Sequence, residues 1–130
     1  MARVVLDAGV VIGLYDDSDP HHQWAVDFMF QTTADKLIMS AINHAEILVY
    51  PYKSGVKDSF QKGLEGLGIK LDVRSLRETE SLAKLRAETG LKMTDVCAIH
   101  LAATEDSILA TTDKAVAKAA KALGIEVFQP

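Results

Sequence analysis

The chain has 130 residues, of which 48% are hydrophobic and 25% charged, and its formal net charge is −4 at neutral pH. This length and apolar content suffice for one hydrophobic core, so we expect a single domain over residues 1–130. The negative charge argues against a protein that wraps nucleic acid through a generally basic surface, because neutralising many phosphates requires clustered Lys and Arg.

The sequence carries no predicted membrane or export signal. The first residues lack the long apolar stretch of a signal peptide, and no segment approaches the ~20 apolar residues of a membrane span. Cys97 is the single cysteine and has no partner for a disulfide within the chain, which fits a reducing compartment. We therefore expect a cytoplasmic protein with no membrane association.

Short apolar runs with the length and composition of strands alternate with longer segments of helical periodicity. This alternation predicts a three-layer α/β/α fold with a central, mostly parallel sheet of four to five strands. The predicted strands cover residues 4–6, 37–39, 69–73, 107–110 and 126–128.

Several helix boundaries are indicated by capping chemistry. Asp19 before Pro20 is typical of an N-cap followed by a first-turn proline, and Ser75 with Glu78 matches a capping box. The other predicted boundaries are a helix at 40–50 ending near Pro51, a helix at 56–67 followed by Gly68, a helix from a cap at Thr94 to about residue 105, and a helix from a cap at Thr112 or Asp113 to about residue 123.

Four acids occupy apolar surroundings in these elements. Asp7 and Asp113 follow the predicted strands at 4–6 and 107–110, where parallel α/β sheets bind ligands. Glu46 and Asp95 interrupt apolar helix faces. Taken singly, each acid is more often a helix cap or a member of an ion pair. All four, however, are expected to converge on the same edge of the sheet.

Such convergence is costly unless a cation is present. Two carboxylates about 5 Å apart repel by roughly 3 kcal/mol at an effective dielectric constant near 20. Mg²⁺ or Mn²⁺ would offset that repulsion through oxygen ligands and would activate a water molecule for attack on a phosphodiester. The sequence has no glycine-rich phosphate loop. It therefore predicts a metal-dependent nuclease with Asp7, Glu46, Asp95 and Asp113 at its centre.

The order of these motifs resembles the PIN domain, and within it the small bacterial and archaeal toxin ribonucleases called VapC-type. The resemblance spans essentially the whole chain. It is carried by VVLDAGVVI at 4–12 with the stretch 17–22 downstream, SAINHAEI at 40–47, LRA at 85–87, LKMTDVCAI at 91–99 and LATTD at 109–113.

The resemblance implies an endoribonuclease in which Asp7, Glu46, Asp95 and Asp113 bind Mg²⁺ or Mn²⁺ directly or through water. It also implies that the hydroxyl of Thr112 supports this centre. The chain departs from the family where Ala8-Gly9 follows the first Asp in place of a hydroxyl or amide residue, and where Thr94 replaces a frequent Pro. Neither departure removes a metal ligand.

A toxin of this kind would bind a cognate antitoxin near the active site and form a homodimer. Three other functions stay open on the sequence alone: a housekeeping RNA-processing nuclease of the same fold, a catalytically idle PIN-like interaction module, and a receiver-type signalling domain. A receiver domain would need two adjacent acids after the first strand, whereas Asp7 stands alone. Retention of all four acids argues against the idle module.

Overall fold

The structure is a computed structural model and describes residues 2–130. These residues form five strands and seven α-helices. In chain order the elements are β1 (Arg3–Leu6), α1 (Ala8–Tyr15), α2 (His22–Gln31), β2 (Lys36–Ser40), α3 (Ala41–Ser54), α4 (Lys57–Gly66), β3 (Lys70–Asp72), a 3-10 helix (Arg74–Arg77), α5 (Thr79–Thr89), α6 (Met93–Thr104), β4 (Ile108–Ala110), α7 (Lys114–Ala122) and β5 (Val127–Phe128).

The five strands form one parallel sheet in the order β3-β2-β1-β4-β5. Side chains of β1 alternate between its faces, as the pleat of a strand requires. Val4 and Leu6 pack with α1 to α4, whereas Val5 packs with α6 and α7. Helix α5 lies outside α6, where Leu82 contacts the buried side chains of Val96 and Cys97. The predicted α/β/α fold is confirmed, and the sheet is wholly parallel.

The strand order determines where the polar residues meet. In β1 and β4, Leu6 pairs with Ala110, so the residues that follow them, Asp7 and Thr111, emerge side by side at the carboxyl edge of the sheet. Helix α3 begins directly after β2, α1 begins one residue after β1, and three residues separate β4 from α7. All five predicted strands are present, with ends that differ by at most one residue.

Two predicted caps are wrong because their side chains are engaged elsewhere. Asp19 accepts a 2.8 Å hydrogen bond from the backbone N–H of His21 and closes a turn, so α2 begins only at His22. The proposed capping box fails because Ser75 is buried inside the 3-10 helix. Glu78 instead lies 3.3 Å from Nε2 of His100 and gives no side-chain cap to α5.

Two further boundaries also differ from the prediction. Pro51 lies inside α3, which continues to Ser54 because Gly55 adopts a left-handed φ of 76° and its N–H closes the last turn onto Pro51 and Tyr52. Thr94 lies in the first turn of α6 and is not its cap. The predicted ends near residues 67, 105 and 123 and the cap at Asp113 are confirmed.

No helix within residues 2–130 has both the length and the apolar character needed to cross a bilayer.

Candidate metal centre

Asp7 occupies the junction between β1 and α1 and is 5% exposed. Its Oδ1 accepts a 2.9 Å hydrogen bond from the backbone N–H of Ala8, so the same carboxylate that ends the strand caps the helix. Its Oδ2 accepts a 2.8 Å hydrogen bond from the hydroxyl of Thr111. Each carboxylate oxygen therefore keeps one lone pair for a further ligand.

The pKa of Asp7 is raised from 3.8 to about 6, and burial is the largest cause. The negative charges of Asp95 and Glu46 contribute to this rise, while the hydrogen bonds from Thr111 and Ala8 oppose it. Asp7 is thus held in a setting that disfavours its charged form unless a positive charge approaches.

Asp95 lies in the first turn of α6 and is 8% exposed. Burial raises its pKa above the usual range, and the negative charges of Asp113 and Glu46 act in the same direction. The cation of Lys92 opposes them. Asp7 and Asp95 therefore lie in buried, negatively charged surroundings that disfavour their ionised forms.

Glu46 and Asp113 are more accessible members of this set. Oε1 of Glu46 lies 3.9 Å from the ammonium of Lys92. This ion pair joins α3 to the residue that precedes α6. Asp113 caps α7, where its Oδ1 accepts hydrogen bonds of 2.8 Å and 3.2 Å from the backbone N–H groups of Ala115 and Val116. Its second oxygen is free of these contacts.

The donor chemistry fits a divalent cation of the Mg²⁺ or Mn²⁺ type, which prefers carboxylate oxygen ligands. Within residues 2–130, however, no three Asp, Glu, His or Cys side chains already stand in a metal-binding arrangement. Glu46 is turned toward Lys92, and both oxygens of Asp7 face protein donors. Binding a cation here therefore requires the carboxylates to draw together.

The hydroxyl that contacts Asp7 belongs to Thr111, which sequence reasoning missed in favour of Thr112. Thr111 is fully buried, and its Oγ1 also accepts a 3.1 Å hydrogen bond from the backbone N–H of Asp113. Thr112 faces α1, where a β-carbon on Gly9 would lie 2.6 Å from its Oγ1. Gly9 is therefore required for this close approach, and the supporting role of Thr112 stays a prediction.

Asn43 is a second residue that the sequence did not single out. It is fully buried on α3, one turn before Glu46. Its Nδ2 donates a 2.9 Å hydrogen bond to the carbonyl of Thr94, the residue before Asp95, while its Oδ1 is buried without a partner. Asn43 thus ties together the two helices that carry Glu46 and Asp95.

The sequence matches the family model of the PIN domain over residues 4–122. No curated protein is significantly similar to it in sequence. A chain of the VapBC2 structure from Rickettsia felis bound to promoter DNA superposes with a TM-score of 0.74 at 16% identity, covering 98% of each chain. A chain of FitAcB from Neisseria gonorrhoeae superposes with a TM-score of 0.67 at 19% identity, covering 96% of each chain.

A toxin–antitoxin complex from Klebsiella pneumoniae gives a TM-score of 0.66 at 20% identity and covers 85% of this chain and 86% of that chain. At such identities the structural similarity shows the fold alone.

Proposed function

Because the chain belongs to the PIN-domain family, a family of nucleases, we propose that it is an endoribonuclease that needs Mg²⁺ or Mn²⁺. The observation that carries the proposal is the burial of Asp7 and Asp95, where burial and neighbouring carboxylates raise the pKa of both side chains. Such a set is unfavourable for folding by itself and favourable for cation binding.

Asp7, Glu46, Asp95 and Asp113 would hold the cation. The bound ion would supply charge stabilisation for the phosphate and would acidify water for hydrolysis. Thr111 orients the Asp7 carboxylate through its 2.8 Å hydrogen bond. Capping of α7 fixes one oxygen of Asp113 and leaves the other for a ligand. Thr112 is proposed to support the centre through its hydroxyl.

Mn²⁺ binding by calorimetry tests the metal centre without a guess at the RNA sequence. We expect saturable binding by the wild-type protein and its loss in Asp95→Asn, with Asp27→Asn as a control because Asp27 is exposed on α2. Cleavage of total RNA should be lost in Asp95→Asn and in EDTA.

The metal-free melting temperature of Asp95→Asn should equal or exceed that of wild type, because one repelling charge is removed. Absence of Mn²⁺ binding by wild type would favour an idle interaction module.

We further propose that the protein is the toxin of a toxin–antitoxin pair. The support is that the structurally similar K. pneumoniae chain comes from a toxin–antitoxin complex. A groove of about 770 Å³ between α1, α3 and α4 offers a surface for an antitoxin segment. Tyr15, Tyr50 and Phe60 line it, and Glu46 stands at its edge.

Induced expression in bacteria tests the toxin role. Growth arrest by wild type but not by Asp95→Asn, relieved by co-expression of a small protein encoded beside the gene, is the expected result. Cleavage of RNA in vitro without any growth arrest would instead favour a housekeeping RNA-processing nuclease.

A homodimer is part of the same proposal. Val49 and Tyr52 are exposed on α3 and lie outside the groove, where they offer apolar contact area. Sedimentation of wild type and a Val49→Lys variant would test it, with a shift to the monomer expected in the variant. A single domain and a cytoplasmic location complete the proposal.

A further inference from the structure

Helix α7 carries three exposed lysines on one side. Lys114, Lys118 and Lys121 follow an i, i+4, i+7 spacing and so lie within a stripe about 60° wide. Val116 and Ala120 project from the opposite side and are fully buried. We call these three lysines the α7 lysine face.

In the part of the chain that the structure describes, the lysines of the α7 lysine face form no ion pairs with acids. Helix α7 contains no Asp or Glu, and within residues 2–130 none of its lysines has an ion pair. Other exposed lysines of this chain, such as Lys36, Lys62 and Lys70, also lack ion pairs within residues 2–130, but the three on α7 stand together on one side of one helix. The α7 lysine face is therefore a local concentration of positive charge on a protein whose net charge is −4.

A groove of about 370 Å³ lies along this face. The three lysines line it together with Thr112, His21 and Gln129. The helix begins directly after Asp113, which is one of the four acids. Because Thr112 and Lys114 flank Asp113 in the chain, one end of the groove lies next to this acid.

We infer that the α7 lysine face binds the phosphate backbone of the RNA strand beside the scissile bond. This inference rests on the proposed nuclease function and deepens it. The four acids repel a polyanion, so a substrate needs cations outside the metal centre to hold its flanking phosphates. The three ammonium groups cover about 10 Å of helix and present point charges without base specificity.

The far end of the groove limits the length of strand that the face contacts. Lys121 also borders a second depression that contains Asp27 and Asp35. These acids repel phosphates, so the favourable contact ends with α7. The structure thus assigns a short, sequence-independent subsite on one side of the metal centre.

The test compares two triple variants that change the net charge equally. Lys114, Lys118 and Lys121 are replaced by Gln in one, and Lys36, Lys62 and Lys70 in the other, whose lysines are exposed, lack ion pairs within residues 2–130 and lie away from α7. Fluorescence anisotropy measures binding of a labelled single-stranded RNA of about 20 nucleotides in EDTA, which prevents cleavage. Titrations at about 50 to about 200 mM salt give the salt dependence.

We expect the α7 variant to bind the RNA at least about tenfold more weakly than wild type. The slope of log K against log salt should become less steep by about two, because three phosphate contacts are removed. The control variant should bind as wild type does. Equal weakening in both variants would overturn the inference, since net charge alone would explain it. Undiminished binding by the α7 variant would also overturn it and leave the nuclease proposal intact.

A different result would count against the proposed nuclease function itself. If wild type binds no RNA, both the subsite and the RNA substrate are wrong, and calorimetry with Mn²⁺ then decides whether the metal centre survives. Both triple variants should bind Mn²⁺ as wild type does, which shows that their folds are intact.

Discussion

The hydroxyl of Thr111 donates a 2.8 Å hydrogen bond to Oδ2 of Asp7 across 104 positions of sequence. The same oxygen of Thr111 accepts from the backbone N–H of Asp113, so one buried side chain joins the ends of β1 and β4 to the start of α7. This arrangement fixes the orientation of the Asp7 carboxylate before any cation arrives.

Thr111→Val should weaken both the fold and the metal centre. The replacement keeps the shape but removes the donor to Asp7 and the acceptor for the Asp113 N–H, which costs about 1–3 kcal/mol at neutral pH by urea denaturation. Because that hydrogen bond lowers the pKa of Asp7, its loss should move the pH at which Mn²⁺ affinity declines to a higher value.

Thr33→Val is the control, since Thr33 is exposed in a turn. A pH profile for Mn²⁺ binding that coincides with wild type would show that Thr111 has a structural role only.

The pKa of Asp7 predicts a specific pH dependence of stability in the metal-free protein. Its folded-state value of about 6 lies above the ordinary 3.8, so the folded state holds the proton more tightly than the unfolded state. The stability from this group is complete below about pH 4 and is lost as the pH rises through 6. The loss amounts to about 3 kcal/mol for a shift of this size.

Asp7→Asn should abolish this loss, because Asn still accepts the Ala8 N–H as an N-cap and carries no charge. Urea denaturation in EDTA between pH 4 and pH 7 measures the effect. Equal declines in stability for wild type and Asp7→Asn over that range would contradict the assigned pKa. Saturating Mn²⁺ should reverse the wild-type trend above pH 6, since a cation binds the ionised form.

The parallel sheet was predictable because each of its strands is a short apolar run between segments of helical periodicity. The cap of the last helix was predicted as Thr112 or Asp113, and the structure has Asp113 there. The helix α1 was missed as an element, because its residues form one continuous apolar run without helical contrast. Glu78 was misassigned because its partner, His100, is remote in sequence.

The site was predictable to the level of its acids and no further. Which of two consecutive threonines reaches Asp7 depends on the pairing of Leu6 with Ala110, and the register between β1 and β4 is not a local property of either strand. Asn43 was equally hidden, because its partner is a backbone carbonyl 51 positions away. The sequence therefore identified the acidic side chains, whereas Thr111 and Asn43, which position them, are evident only in the tertiary structure.

Lys92 is predicted to compete with the metal. Its ammonium lies 3.9 Å from Glu46 and lowers the pKa of Asp95, so it partly substitutes for a cation in the metal-free protein. Lys92→Met keeps an apolar stem of similar length and should tighten Mn²⁺ binding roughly two- to fivefold at low salt, with a smaller gain at high salt.

Lys84→Met is the matched control, because Lys84 is an exposed lysine whose ion pair with Glu88 is remote from the four acids. Weaker Mn²⁺ binding by Lys92→Met would contradict this competition and show that Lys92 stabilises the metal-bound protein.

Asn43 is predicted to set the spacing of Glu46 and Asp95. Asn43→Leu removes the 2.9 Å hydrogen bond to Thr94 and leaves that buried carbonyl without this donor, at a cost of about 1–3 kcal/mol. Because the bond joins α3 to the first turn of α6, its loss should also weaken Mn²⁺ binding at pH 7. Urea denaturation and calorimetry measure the two effects on the same preparation.

The Leu82→Ala variant tests whether Asn43 positions the metal ligands or only stabilises the fold. Leu82 is buried between α5 and α6, where it packs on Val96 and Cys97, and its truncation costs about 2–5 kcal/mol. If both variants lose stability but only Asn43→Leu loses Mn²⁺ affinity, the hydrogen bond positions the metal ligands. Equal losses of affinity would instead mean that the centre depends on the rigidity of α6 as a whole, and Asn43 would have no special part in it.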